Sequence, residues 1–103
     1  MGTEDLREQI IARIKTVFDP EIPVDIYELG LIYEIQILPL NNVQIEMTLT
    51  SPSCPAAQTI PVEVENKVKA IEGVNSVHVS IVWNPPWDRD MMSEVAKLEL
   101  GML

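Results

Sequence analysis

The stretch VQIEMTLTSPSCPAAQTIPVEVENKVKAIEG, Val43 to Gly73, changes its period partway along, and that change decides the fold. Over Val43–Thr50 the apolar residues alternate. Val43, Ile45, Met47 and Leu49 face one way, and Gln44, Glu46, Thr48 and Thr50 the other, as in a half-buried strand. Beyond the SPS turn, Ile60, Val64, Val68 and Ile71 recur at helical spacing, and Gly73 ends the run. Pro61 fits a helix that starts at Pro55 and kinks, or a turn ahead of a helix that starts near Pro61; the kinked helix is the expectation. A later strand returning after that helix is expected to run parallel to one of the hairpin strands, through a right-handed crossover.

That returning strand is SVHVSIVW, Ser76 to Trp83, with Val77, Val79, Ile81 and Trp83 on one face and His78 and Ser80 on the other. On the amino-terminal side, Leu31, Tyr33, Ile35 and Ile37 alternate with Glu34 and Gln36. The PLNN turn then joins this strand to the next as an antiparallel hairpin. The chain opens on an amphipathic helix whose apolar face is Leu6, Ile10, Ile14, Val17 and Phe18, with Thr3 as the expected cap. Pro20 and Pro23 in DPEIP stop it. MMSEVAKLELG reads as a short closing helix ended by Gly101. The order is α-β-β-α-β-α in one domain over residues 1–103. This predicts an α+β, two-layer sandwich: a small three-stranded mixed sheet with helices on one face.

Sixteen acidic against seven basic side chains give a formal charge of −9. Such a field repels nucleic acid and anionic membranes, so neither is expected as a partner. MGTEDLREQI begins acidic, unlike a secretory signal, and no run approaches the roughly 20 apolar residues of a membrane span. A single cysteine makes no internal disulfide. The expectation is a soluble, cytoplasmic domain.

That cysteine, Cys54, precedes Pro55 at the mouth of the second helix. Proline suits the first helical position, which sets Cys54 near free backbone N–H groups and the positive end of the helix dipole. The placement favours thiolate over thiol, and the thiolate is the nucleophile and the metal ligand. Thr50, Ser51 and Ser53 supply hydroxyls nearby. The plainer reading is a small buried hydrophobe ahead of a helix. Closed zinc sites and stable iron–sulfur clusters take about four Cys or His ligands, and this chain has one of each, His78 lying on a strand among polar neighbours. A single chain therefore offers only transient or shared ligation through Cys54. Exchange by a Cys-x-x-Cys pair is impossible, and no glycine-rich phosphate loop is present. A Cys54–His78 dyad would lack a third group to orient the histidine.

Two further segments stand out. DPEIPVDIYELG gathers Asp19, Glu21, Asp25 and Glu28 around two prolines, either as a stiff solvated connection or as carboxylates available to a cation. In WNPPW, Trp83 is expected to cover the end of the core, and Trp87, beside Pro86 on a polyproline-like stub, to stand exposed as a partner anchor or lid.

Together DPEIPVDIYELGLIYEIQI, MTLTSPSCPAAQ, IEGVNSVHVSIVWNPPWDRDMMS and KLELG resemble the SufT-like and PaaD-like iron–sulfur assembly family from about Leu6 to Gly101. The resemblance implies an α/β sandwich and an accessory role in maturing iron–sulfur proteins, not an enzyme. By its motifs, Cys54 corresponds to the family's functional cysteine and Thr50 to its accompanying threonine. Asp19 and Glu21 correspond to its acidic pair, and Asp25 to its polar position before LGL. Members serving phenylacetate metabolism carry extra carboxy-terminal cysteines, absent here, so the resemblance implies a SUF-associated role. The expected cargo is a labile iron or iron–sulfur cluster with no tightly bound cofactor. The expected partners are SUF assembly proteins and apo client proteins, with ligands shared across a homodimer or with a client. The alternatives are a metal-free adaptor docking through Trp87 and the acidic surface, and a thiol enzyme.

Overall fold

A computed structural model of the chain describes residues 3–19, 22–50 and 56–101. Its elements run α1 (Thr3–Ile14), β1 (Ile32–Leu38), β2 (Asn42–Met47), α2 (Ala56–Lys69), β3 (Ser76–Ile81) and α3 (Glu94–Glu99). The sheet order is β1-β2-β3, with β1 antiparallel and β3 parallel to the central β2. The expected α-β-β-α-β-α order and mixed sheet are what the chain adopts.

One core unites the layers. Ile10 and Ile14 of α1, Val64 and Val68 of α2, and Val43, Ile45 and Met47 of β2 are all buried in it. Gln36, Gln44, Glu46 and His78 form an exposed polar face on the other side of the sheet. The helix α2 continues through Pro61, so the expected start upstream of that proline holds. Phe18 departs from its expected place: α1 ends at Ile14, and Phe18, past the helix, is 55% exposed.

The first strand departs from simple alternation as well. Ile32 pairs with Met47 but Glu34 pairs with Glu46, so one extra residue is accommodated between them. This bulge removes Tyr33 from the inward row. Its hydroxyl instead donates to the Pro85 carbonyl at 2.8 Å.

At the hairpin end, Leu40 and Asn41 both take left-handed backbone conformations. The Asn41 side chain donates to the Gly73 carbonyl at 3.0 Å, and Asn75 and Ser76 both donate to Asn42 Oδ1. This amide cluster fixes β3 against β2, starting from the Asn42–Ser76 pair. It secures one end of the sheet with structural hydrogen bonds and leaves the opposite end for the loops.

Candidate functional site

At that opposite end β1 begins while β2 and β3 finish. Three segments singled out in the sequence start or stop there: residues 19–31, residues 48–50 leading toward Cys54, and residues 82–92. Ligand sites in mixed sheets gather where parallel strands end, because the connecting loops are free to diverge there.

The first segment is held by its own backbone. Phe18 and Asp25 form an isolated antiparallel bridge, with Ile26 N–H donating to the Val17 carbonyl at 2.9 Å. The bridge places Asp19 and Asp25 on neighbouring arms of one tight loop. Asp19 is 4% exposed, and its Oδ1 accepts from the Ile22 amide at 3.2 Å. Asp25 Oδ1 accepts from the amides of Tyr27 and Glu28, at 3.1 and 3.0 Å, and so caps a single helical turn. That turn closes when Gly30 N–H donates to the Tyr27 carbonyl and Leu31 N–H to the Ile26 carbonyl, the Schellman pattern. Gly30 has φ +82°, and a Cβ there would lie 2.3 Å from the Met91 carbonyl oxygen.

Glu28 joins three elements, a role the sequence reading did not assign. Its carboxylate pairs with Lys15 Nζ at 3.4 Å and accepts a hydrogen bond from the Ser93 hydroxyl, while its carbonyl accepts from the Ser93 amide at 2.8 Å. Ser93 Oγ in turn accepts from Ala96 N–H and caps α3. The signal was present as Asp25-x-x-Glu28 before Gly30, the spacing of a capped turn.

The tryptophans exchange their expected places. Trp87 is half-buried against the core, and its indole N–H donates to the Leu29 carbonyl at 2.8 Å. Trp83 is 47% exposed, and Pro86 is exposed beside the anchored Trp87. Leu29 binds the indole through a backbone carbonyl, which carries no mark in the sequence.

Thr48 is a second correction. Read as outward-facing, it is fully buried, and its Oγ1 has no hydrogen-bond partner among the described residues. Its amide donates to the Leu31 carbonyl at 2.8 Å. Thr50 is half-buried two residues further on. Cys54 and Glu21 lie outside the described residues. His78 is exposed on the polar face of the sheet, paired in register with Gln44. Among the described residues no three His, Cys, Asp or Glu side chains are grouped to hold a metal ion. Also among them, no helix is long and apolar enough to cross a membrane.

A family model described as iron–sulfur cluster assembly protein matches residues 7–81. A Porphyromonas gingivalis protein named Fe-S protein maturation auxiliary factor is 48% identical, over 93% of this chain and 91% of that one. The Staphylococcus aureus Fe-S protein maturation auxiliary factor SufT is 41% identical, over 84% of this chain and 98% of that one. Among solved structures, a domain of unknown function, DUF59, from Bacillus anthracis superposes with a TM-score of 0.88 at 40% identity, covering 97% of this chain and 95% of that one.

Proposed function

Since the chain belongs to the iron–sulfur cluster assembly protein family, we propose that it is an accessory maturation factor, not an enzyme. It passes labile iron or an iron–sulfur cluster to client proteins through the Cys54 thiolate. The observation that carries this reading is the meeting of three motif-bearing segments at one end of the sheet. The start of α2 at Ala56 supports it, because the Cys-Pro pair then immediately precedes a helix of 14 residues whose dipole favours an anionic sulfur.

In this reading the cargo is held briefly. One thiolate leaves most positions on iron to be filled by a second copy, a SUF assembly protein or the client. Incomplete ligation keeps transfer downhill toward a client with a full ligand set. Asp19, Glu21, Asp25 and Thr50 border the cargo. Asp19 and Asp25 also hold the loop through their Oδ1 atoms, so the same carboxylates set its shape. The site works in the cytoplasm, where apo clients are made.

A cell lacking this gene, complemented with wild type or Cys54→Ala, tests the role through the activity of an endogenous iron–sulfur enzyme. Wild type restores it and the variant does not; equal restoration by both removes the cysteine from the function.

The exposed Trp83 favours a second reading, a metal-free adaptor. In that case partner capture follows Trp83, with Trp87 and Pro86 setting the shape of the loop, and Cys54→Ala leaves client maturation intact.

A further inference from the structure

Strand β1 is an edge strand of seven residues, IYEIQIL, and among the described residues nothing pairs with its outer side. It carries neither lysine nor proline, and the features that blunt an exposed edge, the bulge and Glu34, lie at its amino-terminal end, leaving Ile35–Leu38 regular. Beside it, between α1 and β1, lies a shallow groove of about 240 Å³ lined by Arg7, Ile11, Tyr27, Ile32, Tyr33, Glu34 and Ile35, in which the Glu34 carboxylate already accepts from the Gln36 side chain at 3.0 Å. Ile11, Tyr27 and Ile32 are only partly buried although they pack on the core. Arg7 is exposed at this groove and has no hydrogen bond or ion pair among the described residues, in a chain whose formal charge is −9.

We propose that this groove is a docking site for an extended segment of a partner protein that adds to β1 as a fourth strand. Free backbone groups along the edge supply sequence-tolerant hydrogen bonds, and alternate side chains of the incoming strand reach the apolar lining. The unpartnered guanidinium selects a segment that carries a carboxylate, because Arg binds that planar anion through two parallel donors. A second basic group at the same place would repel it. Main-chain pairing suits a factor that meets several clients. The identity of the partner as a client rests on the proposed function, whereas the groove and its charge preference do not involve Cys54.

The test uses ¹⁵N-labelled full-length protein and a seven-residue peptide alternating threonine and valine and ending in aspartate, beside the same peptide ending in lysine. The acidic peptide should shift the amide resonances of residues 31–38 and those of Arg7 and Ile11. It should bind about fivefold more tightly than the lysine peptide, the effect of one exposed ion pair. Arg7→Glu, on an exposed helix surface and checked by its melting curve, should invert that order. Cys54→Ala should bind as wild type does, so failure of the cysteine reading leaves this result standing. Shifts centred elsewhere, no binding, or an order unchanged by Arg7→Glu overturn the proposal. Concentration-dependent shifts of the same amides without peptide also overturn it, because a second copy then occupies the edge.

Discussion

Thr48 presents a hydroxyl with no partner among the described residues in a fully buried position, while its neighbours Met47 and Leu49 bury only hydrocarbon and sulfur. An unsatisfied buried polar atom costs about 1–3 kcal/mol, so Thr48→Val, nearly the same shape, should stabilise the protein by about 1 kcal/mol or more. For a domain of this size that is a rise in melting temperature of roughly 5 °C, and a fall would mean that a water satisfies the hydroxyl. Asp25 is the opposite case. It caps two amides, so Asp25→Ala should cost about 1–2 kcal/mol in a denaturant melt, with Asp25→Asn recovering most of it. The acidic loop was visible in the sequence as a cluster of charge. What could not be read was that two of its carboxylates hold backbone, because that depends on how the chain turns back at the Phe18–Asp25 bridge. Thr48 was misread because alternation tells which face a residue occupies but not whether that face is covered at that point.

Periodicity alone was enough to locate the regular elements, and it failed where geometry departs from a simple repeat. The bulge at Ile32–Glu34 removed Tyr33 from its row, and the end of α1 at Ile14 released Phe18. Both are decided by pairing and termination, to which a count of apolar spacings is blind. The turns are more sharply testable. Gly30 combines φ +82° with a close approach to the Met91 carbonyl, and any Cβ meets both. Gly30→Ala should therefore cost about 2–4 kcal/mol by chemical denaturation, and a change below about 0.5 kcal/mol would show that the turn relaxes freely. In the hairpin turn, Leu40 is 82% exposed and left-handed at φ +65°, a conformation asparagine tolerates far better. Leu40→Asn should raise stability by about 0.5–1 kcal/mol, seen as a higher denaturant midpoint at unchanged slope.

At the scale of the molecule, the two ends of the sheet divide the work. The end built from Asn41, Asn42, Asn75 and Ser76 locks the register, and the other gathers residues 19–31, 48–50 and 82–92. The motifs were legible one by one in the sequence, as was their likeness to an iron–sulfur assembly family. Their meeting at one end was not, because it follows from Trp87 and Ser93 fastening the carboxy-terminal segment to Leu29 and Glu28. The most direct test of the account is anaerobic loading of the full-length protein with ferrous iron and sulfide, alone and with a SUF scaffold, read by visible absorption and by bound iron. Wild type should acquire an iron–sulfur chromophore, and Cys54→Ala should hold at least about tenfold less. Equal loading of the two proteins, or none in either, would contradict a factor that carries its cargo on one sulfur.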